Sequence, residues 1–86
     1  MAEIKYYVTY GNMGTFDLAD AKKKFEEYAK AVETVGLKVV FWGAPYGVSE
    51  DAICVIKGSY ENYMKMMESG ITPPFTGSRT NMVLTW

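Results

Sequence analysis

Three stretches of this 86-residue chain are apolar at consecutive positions: Val39-Val40-Phe41-Trp42, Ala52-Ile53-Cys54-Val55-Ile56 and Met82-Val83-Leu84. Side chains on a β-strand point to opposite faces in turn, so a strand with one dry face and one wet face alternates apolar with polar residues. These stretches do not alternate. If they are strands, their sheet carries apolar side chains on both faces, and a soluble protein has to cover both.

The remaining pattern sets what is available as cover. Ile4 to Tyr10 is dense in aromatic and β-branched residues and reads as a first strand, broken by Gly11-Asn12-Met13-Gly14. Asp17 is placed to cap a helix whose apolar residues, Leu18, Ala21, Phe25, Tyr28, Ala29, Val32 and Val35, recur in steps of three and four. Gly36 ends it. Leu37–Trp42 is the second strand, 43–47 a turn, and Asp51 to Lys57 the third strand; the short connection predicts an antiparallel hairpin. Ser59 can cap a second helix with Tyr60, Tyr63, Met64 and Met67 on one face, and Gly70 stops it. The paired prolines predict a loop over 71–78, and the fourth strand runs from Thr80 or Asn81 to Trp86.

The order β-α-β-β-α-β predicts a single ferredoxin-like α+β domain over residues 1–86, a four-stranded antiparallel sheet with two helices on one face. Two helices on one face leave the other open. A second copy of the chain, packed sheet to sheet about a two-fold axis, is the expected cover.

In length and element order, from Ile4–Tyr10 through the long first helix, the hairpin of Leu37–Trp42 and Ala52–Lys57, the second helix and the fourth strand, the chain resembles the dimeric α/β-barrel superfamily. That superfamily includes stress-response, antibiotic-biosynthesis monooxygenase and muconolactone isomerase-like groups. The resemblance implies a homodimer with its sheets paired into a closed barrel, and a pocket between the sheet and the helices of each subunit. Its haem-handling branches depend on a His that this chain lacks. Its monooxygenase members use an Asn, a Trp and a His or Tyr; Asn12, Trp42 and the tyrosines here do not align to that set, so no catalytic role carries over.

Composition narrows the chemistry. With no His, the chain lacks the side chain best suited to proton transfer near neutral pH and the commonest metal ligand. One Cys forms no internal disulfide. Nine basic against ten acidic residues argue against a nucleic-acid partner, whose phosphates are met with Lys and Arg. No uncharged run reaches the roughly 18 residues that span a bilayer, and Met1 to Lys5 passes straight into strand-like sequence. The expectation is a cytoplasmic protein with no membrane partner, no metal and no cofactor.

Five residues stand out as ligand-binding candidates: Tyr7, Tyr10, Trp42, Phe75 and Arg79. Amphipathic rings can line a pocket for an aromatic molecule, although most aromatic residues in such a chain serve the core or an interface. Arg79, the sole arginine, has the fork to hold a carboxylate, or it makes a surface ion pair. Cys54 reads as a buried thiol, since no base is present to activate it. Glu50-Asp51 reads as a solvated hairpin end. The expected role is a small homodimer with room for an apolar or aromatic ligand between sheet and helices. The alternative is a non-catalytic assembly module without a pocket, which deep burial of Tyr7, Trp42 and Arg79 around a solid interior would favour.

Overall fold

The computed structural model describes residues 3–13 and 17–86, apart from the side chain of Leu18. Gly14, expected in the break after the first strand, lies outside the described residues. The elements run β1 (Glu3–Asn12), α1 (Leu18–Glu33), β2 (Lys38–Gly43), β3 (Ala52–Lys57), α2 (Tyr60–Glu68) and β4 (Thr76–Thr85). The strands form one antiparallel sheet in the order β2-β3-β1-β4. This is the ferredoxin-like α+β fold that the sequence predicts.

Local chemistry sets the helix ends. The Asp17 carboxylate accepts from the backbone N–H groups of Ala19 and Asp20, at 3.0 and 3.3 Å, and Ser59 Oγ accepts from Asn62 N–H at 3.1 Å. Each satisfies donors that the first turn leaves without an intrahelical partner. Gly36 and Gly70 follow the two helices at φ +80° and +73°, where a Cβ is disfavoured.

Direct pairing across the sheet puts residues into rows. The rows Met82–Tyr7–Ile56–Val39 and Thr80–Thr9–Cys54–Trp42 face the helices. There Tyr7, Cys54 and Ile56 join Phe25, Tyr28 and Val32 of α1 and Tyr63 and Met66 of α2 in the core. Tyr7 stacks on Tyr63 with centroids 4.0 Å apart, and Phe25 stacks on Trp42 at 4.5 Å. The opposite rows are Val83–Tyr6–Lys57–Lys38, Asn81–Val8–Val55–Phe41 and Arg79–Tyr10–Ile53–Gly43. No element among the described residues covers them. The shortest dimension of the molecule is 18 Å, one sheet layer and one helix layer thick.

Three expectations are corrected. The buried face of α2 is Tyr63 and Met66, while Tyr60, Met64 and Met67 are 38–55% exposed. β1 continues through Gly11 and Asn12, and β4 starts at Thr76, so the long loop ends sooner than the prolines suggested. The pairing of Asn12 with Thr76 and of Gly11 with Ser78 is made by polar and small residues, which an apolar run does not mark.

Candidate functional site

The helix-facing side of the sheet is incompletely filled where β1 and β4 lie beside the helices. A chamber of about 290 Å³ opens there, lined by Thr9, Ser78 and Thr80 from the sheet, Tyr28 from α1, Tyr63, Met66 and Met67 from α2, and Ile71, Thr72, Pro73 and Phe75 from the loop into β4. It is more enclosed than two neighbouring grooves, one between α1 and β2 along Phe25, Val39 and Trp42, the other along Lys24, Tyr28 and Ile71.

Each wall has a local cause. Phe75 is set down by the loop onto Gly11 of β1, where the absence of a side chain lets the ring lie against the backbone. Its ring also meets Phe25 edge-on, with centroids 5.6 Å apart. Tyr63 is held by its stack on Tyr7. The Tyr28 hydroxyl donates to Met66 Sδ at 3.7 Å, and burial, with Cys54 and Tyr63 nearby, pushes its pKa well above the ordinary tyrosine value. Thr9 and Thr80, paired directly across β1 and β4, hydrogen-bond through their hydroxyls at 2.9 Å.

Among the described residues, none that lines the chamber is charged. Cys54 lies in the row next to Thr9, 2% exposed, and burial raises its thiol to about 12, so near neutral pH it is a thiol and not a nucleophilic thiolate. Among the described residues, no group of three or more Cys, Asp or Glu comes together as a metal site would need.

The five candidates do not converge. Phe75 lines the chamber. Tyr7 is fully buried behind Tyr63, and its hydroxyl has no hydrogen-bond partner among the described residues. Trp42 is half-buried against Phe25, on the groove between α1 and β2. Tyr10 and Arg79 sit on the uncovered face of the sheet. There the Arg79 guanidinium lies 4.3 Å from the Tyr10 ring centroid and donates from Nε and Nη2 to both carboxylate oxygens of Glu50. This fork-to-carboxylate contact holds Glu50 below the usual carboxylate range. Asp51, its neighbour, accepts from Met13 N–H at 2.9 Å and ties the start of β3 to the end of β1. Thr9, Tyr28, Met66 and Thr80 were missed by sequence reasoning. Thr9 and Thr80 carry no mark until the register pairs them, and Met66 was hidden by the misplaced face of α2.

The uncovered face has an apolar middle and charged ends. Val8 and Val55 lie at its centre with Phe41 beside them, and Phe41 is 52% exposed. Lys57 and Lys38 stand at one end, with Lys57 5.8 Å from the Tyr6 ring centroid, and the Arg79–Glu50 pair stands at the other. No helix among the described residues is long and apolar enough to cross a membrane. No family model matches the chain, and the search of curated proteins gives no match.

Proposed function

We propose that the chain is a cytoplasmic homodimer of the dimeric α/β-barrel type whose subunits each bind a small apolar or aromatic molecule between sheet and helices. The observation that carries the binding reading is the uncharged chamber of about 290 Å³ closed by Phe75, Tyr63 and Met66, near the lower end of the volumes that ligand pockets occupy. Its titratable residues are tyrosines, and Tyr28 is held in its protonated form, which favours binding over acid–base chemistry.

The uncovered face supports the dimer. Four strands spaced about 4.8 Å apart and about 25 Å long offer roughly 500 Å² of flat sheet. Corrugated by side chains, that approaches the about 800 Å² per partner of a standard interface. Its apolar middle, Val8, Val55 and Phe41, lies within the size of the largest patches that monomers expose, and such patches mark interaction sites. A second copy supplies the same apolar middle, and a two-fold axis lying across the strands sets the lysine end of one sheet against the Glu50 end of the other.

Two measurements test the reading. Light scattering at micromolar concentration is expected to give twice the 9.7 kDa of the chain, and a stable monomer overturns the dimer. Titration with naphthalene is expected to shift the methyl resonances of Met66 and Ile71 saturably. If both stay unmoved, the chamber holds nothing and the assembly module becomes the better reading.

A further inference from the structure

The floor of the chamber carries a hydrogen-bonding unit whose capacity can be counted. Thr9 is 7% exposed, and its hydroxyl and that of Thr80 lie 2.9 Å apart. One donates to the other, so the pair retains one O–H proton and spare lone pairs for a third partner. Ser78, two residues before Thr80 on the same side of β4, adds another hydroxyl. The walls above are rings and thioethers, from Tyr63, Phe75 and Met66. A charged ligand would give up its hydration here and meet no counter-ion, which is costly, whereas a neutral polar group loses little if it finds a hydroxyl.

Resting on the reading of this chamber as the ligand site, we infer that its ligand class is a neutral, largely aromatic molecule bearing one hydroxyl or carbonyl that docks on the Thr9–Thr80 pair. At the packing density of protein interiors, about 290 Å³ holds roughly 15 non-hydrogen atoms. That admits a two-ring aromatic with a short substituent. Carboxylates, phosphates and amines of the same size are excluded by the absence of any charge on the walls.

The experiment is a methyl-resonance titration of the full chain near pH 7 with four probes of one shape: naphthalene, 2-naphthol, 2-naphthoate and 2-(aminomethyl)naphthalene. 2-Naphthol is expected to bind at least tenfold more tightly than naphthalene, with the anion and the cation giving no saturable shift. In the Thr9→Val/Thr80→Val variant the naphthol advantage is expected to vanish while naphthalene binding persists. Valine keeps the β-branched shape, and removing both partners leaves no orphaned hydroxyl. If the double variant folds poorly, Thr80→Val alone, at an exposed position, is expected to reduce the advantage. The inference is overturned if naphthoate or the amine binds as tightly as naphthol, or if the advantage survives the valines. Equal binding of naphthol and naphthalene overturns this inference and leaves the chamber standing; failure of both overturns the chamber as well.

Discussion

Gly11 is the penultimate residue of β1, and what it supplies is space. Its partner across β1 and β4 is Ser78, and its helix-facing side is occupied by the Phe75 ring, which lies where any Cβ would have to be. The residue's backbone is outside the left-handed region, so no conformational privilege is involved. Gly11→Ala is therefore expected to push Phe75 off its seat and away from the edge of Phe25. Overpacking of this kind costs about 1–3 kcal/mol. A denaturant titration reads it as a lower midpoint, and an aromatic resonance of Phe75 that shifts with it locates the cause. An unchanged midpoint would mean that the ring does not bear on the strand. At this scale the sequence is nearly silent. A glycine at the end of an aromatic-rich run reads as a breaker, and only the loop folded back from 64 residues further on shows why the strand can pass through it.

At the scale of elements, the legible features were those with a strong local cause. The caps at Asp17 and Ser59, the stops at Gly36 and Gly70, and the stripe of Phe25, Tyr28 and Val32 all follow from neighbours a few residues apart. β2 shows where such reasoning fails. Val39 pairs with Ile56 and Phe41 with Val55, so Val40 is an extra residue, and this bulge turns both Val39 and Trp42 toward the helices. Part of the apolar run that suggested two dry faces is thus a bulge, while Phe41, Ile53 and Val55 still point to the uncovered side. In α2 five residues, Tyr60, Tyr63, Met64, Met66 and Met67, compete for one short face, and docking on Tyr7 selects Tyr63 and Met66. The hairpin turn is joined to β4 by Arg79 and Glu50, a link no spacing rule supplies, and it has a pH signature. Glu50 is held below its ordinary value of 4.5, first by the Arg79 hydrogen bond. A folded-state pKa lower than the unfolded one contributes stability in full above about 4.5, and that contribution is lost as pH falls through the folded value. Glu50→Gln is expected to melt slightly below the parent near pH 6 and to converge with it as the pH falls below the folded Glu50 value. The Arg79 side chain is half-exposed, so solvent screening keeps the gap small. A gap that persists unchanged at the lower pH would show that the carboxylate charge is not its source.

For the whole molecule, the question is which side of an 18 Å slab each apolar residue serves. Phe41 and Trp42 are adjacent on β2 and point to opposite faces, so they separate folding from association. Trp42 stacks on Phe25 over the core, 4.5 Å between centroids. Placing a carboxylate there removes the stack and sets a charge beside buried Phe25, with a cost of at least about 3 kcal/mol. Trp42→Asp is expected to lower the melting temperature markedly or to prevent folding. Phe41 projects from the β2 edge of the uncovered face, in line with Val55 and Val8. In an isolated subunit, an Asp at this half-exposed position meets water and leaves the core intact. Between two packed sheets, it puts one charge from each copy into an apolar seam, desolvated and without a partner. Phe41→Asp is therefore expected to keep a native far-ultraviolet circular dichroism spectrum while light scattering falls from twice the chain mass to once. If Phe41→Asp stays dimeric and folded, the seam lies elsewhere, and the lysine and Glu50 ends of the sheet lose their proposed pairing. If instead it unfolds as Trp42→Asp does, the second copy is part of the fold itself, and the chamber between Thr80 and Phe75 forms only in the assembled dimer.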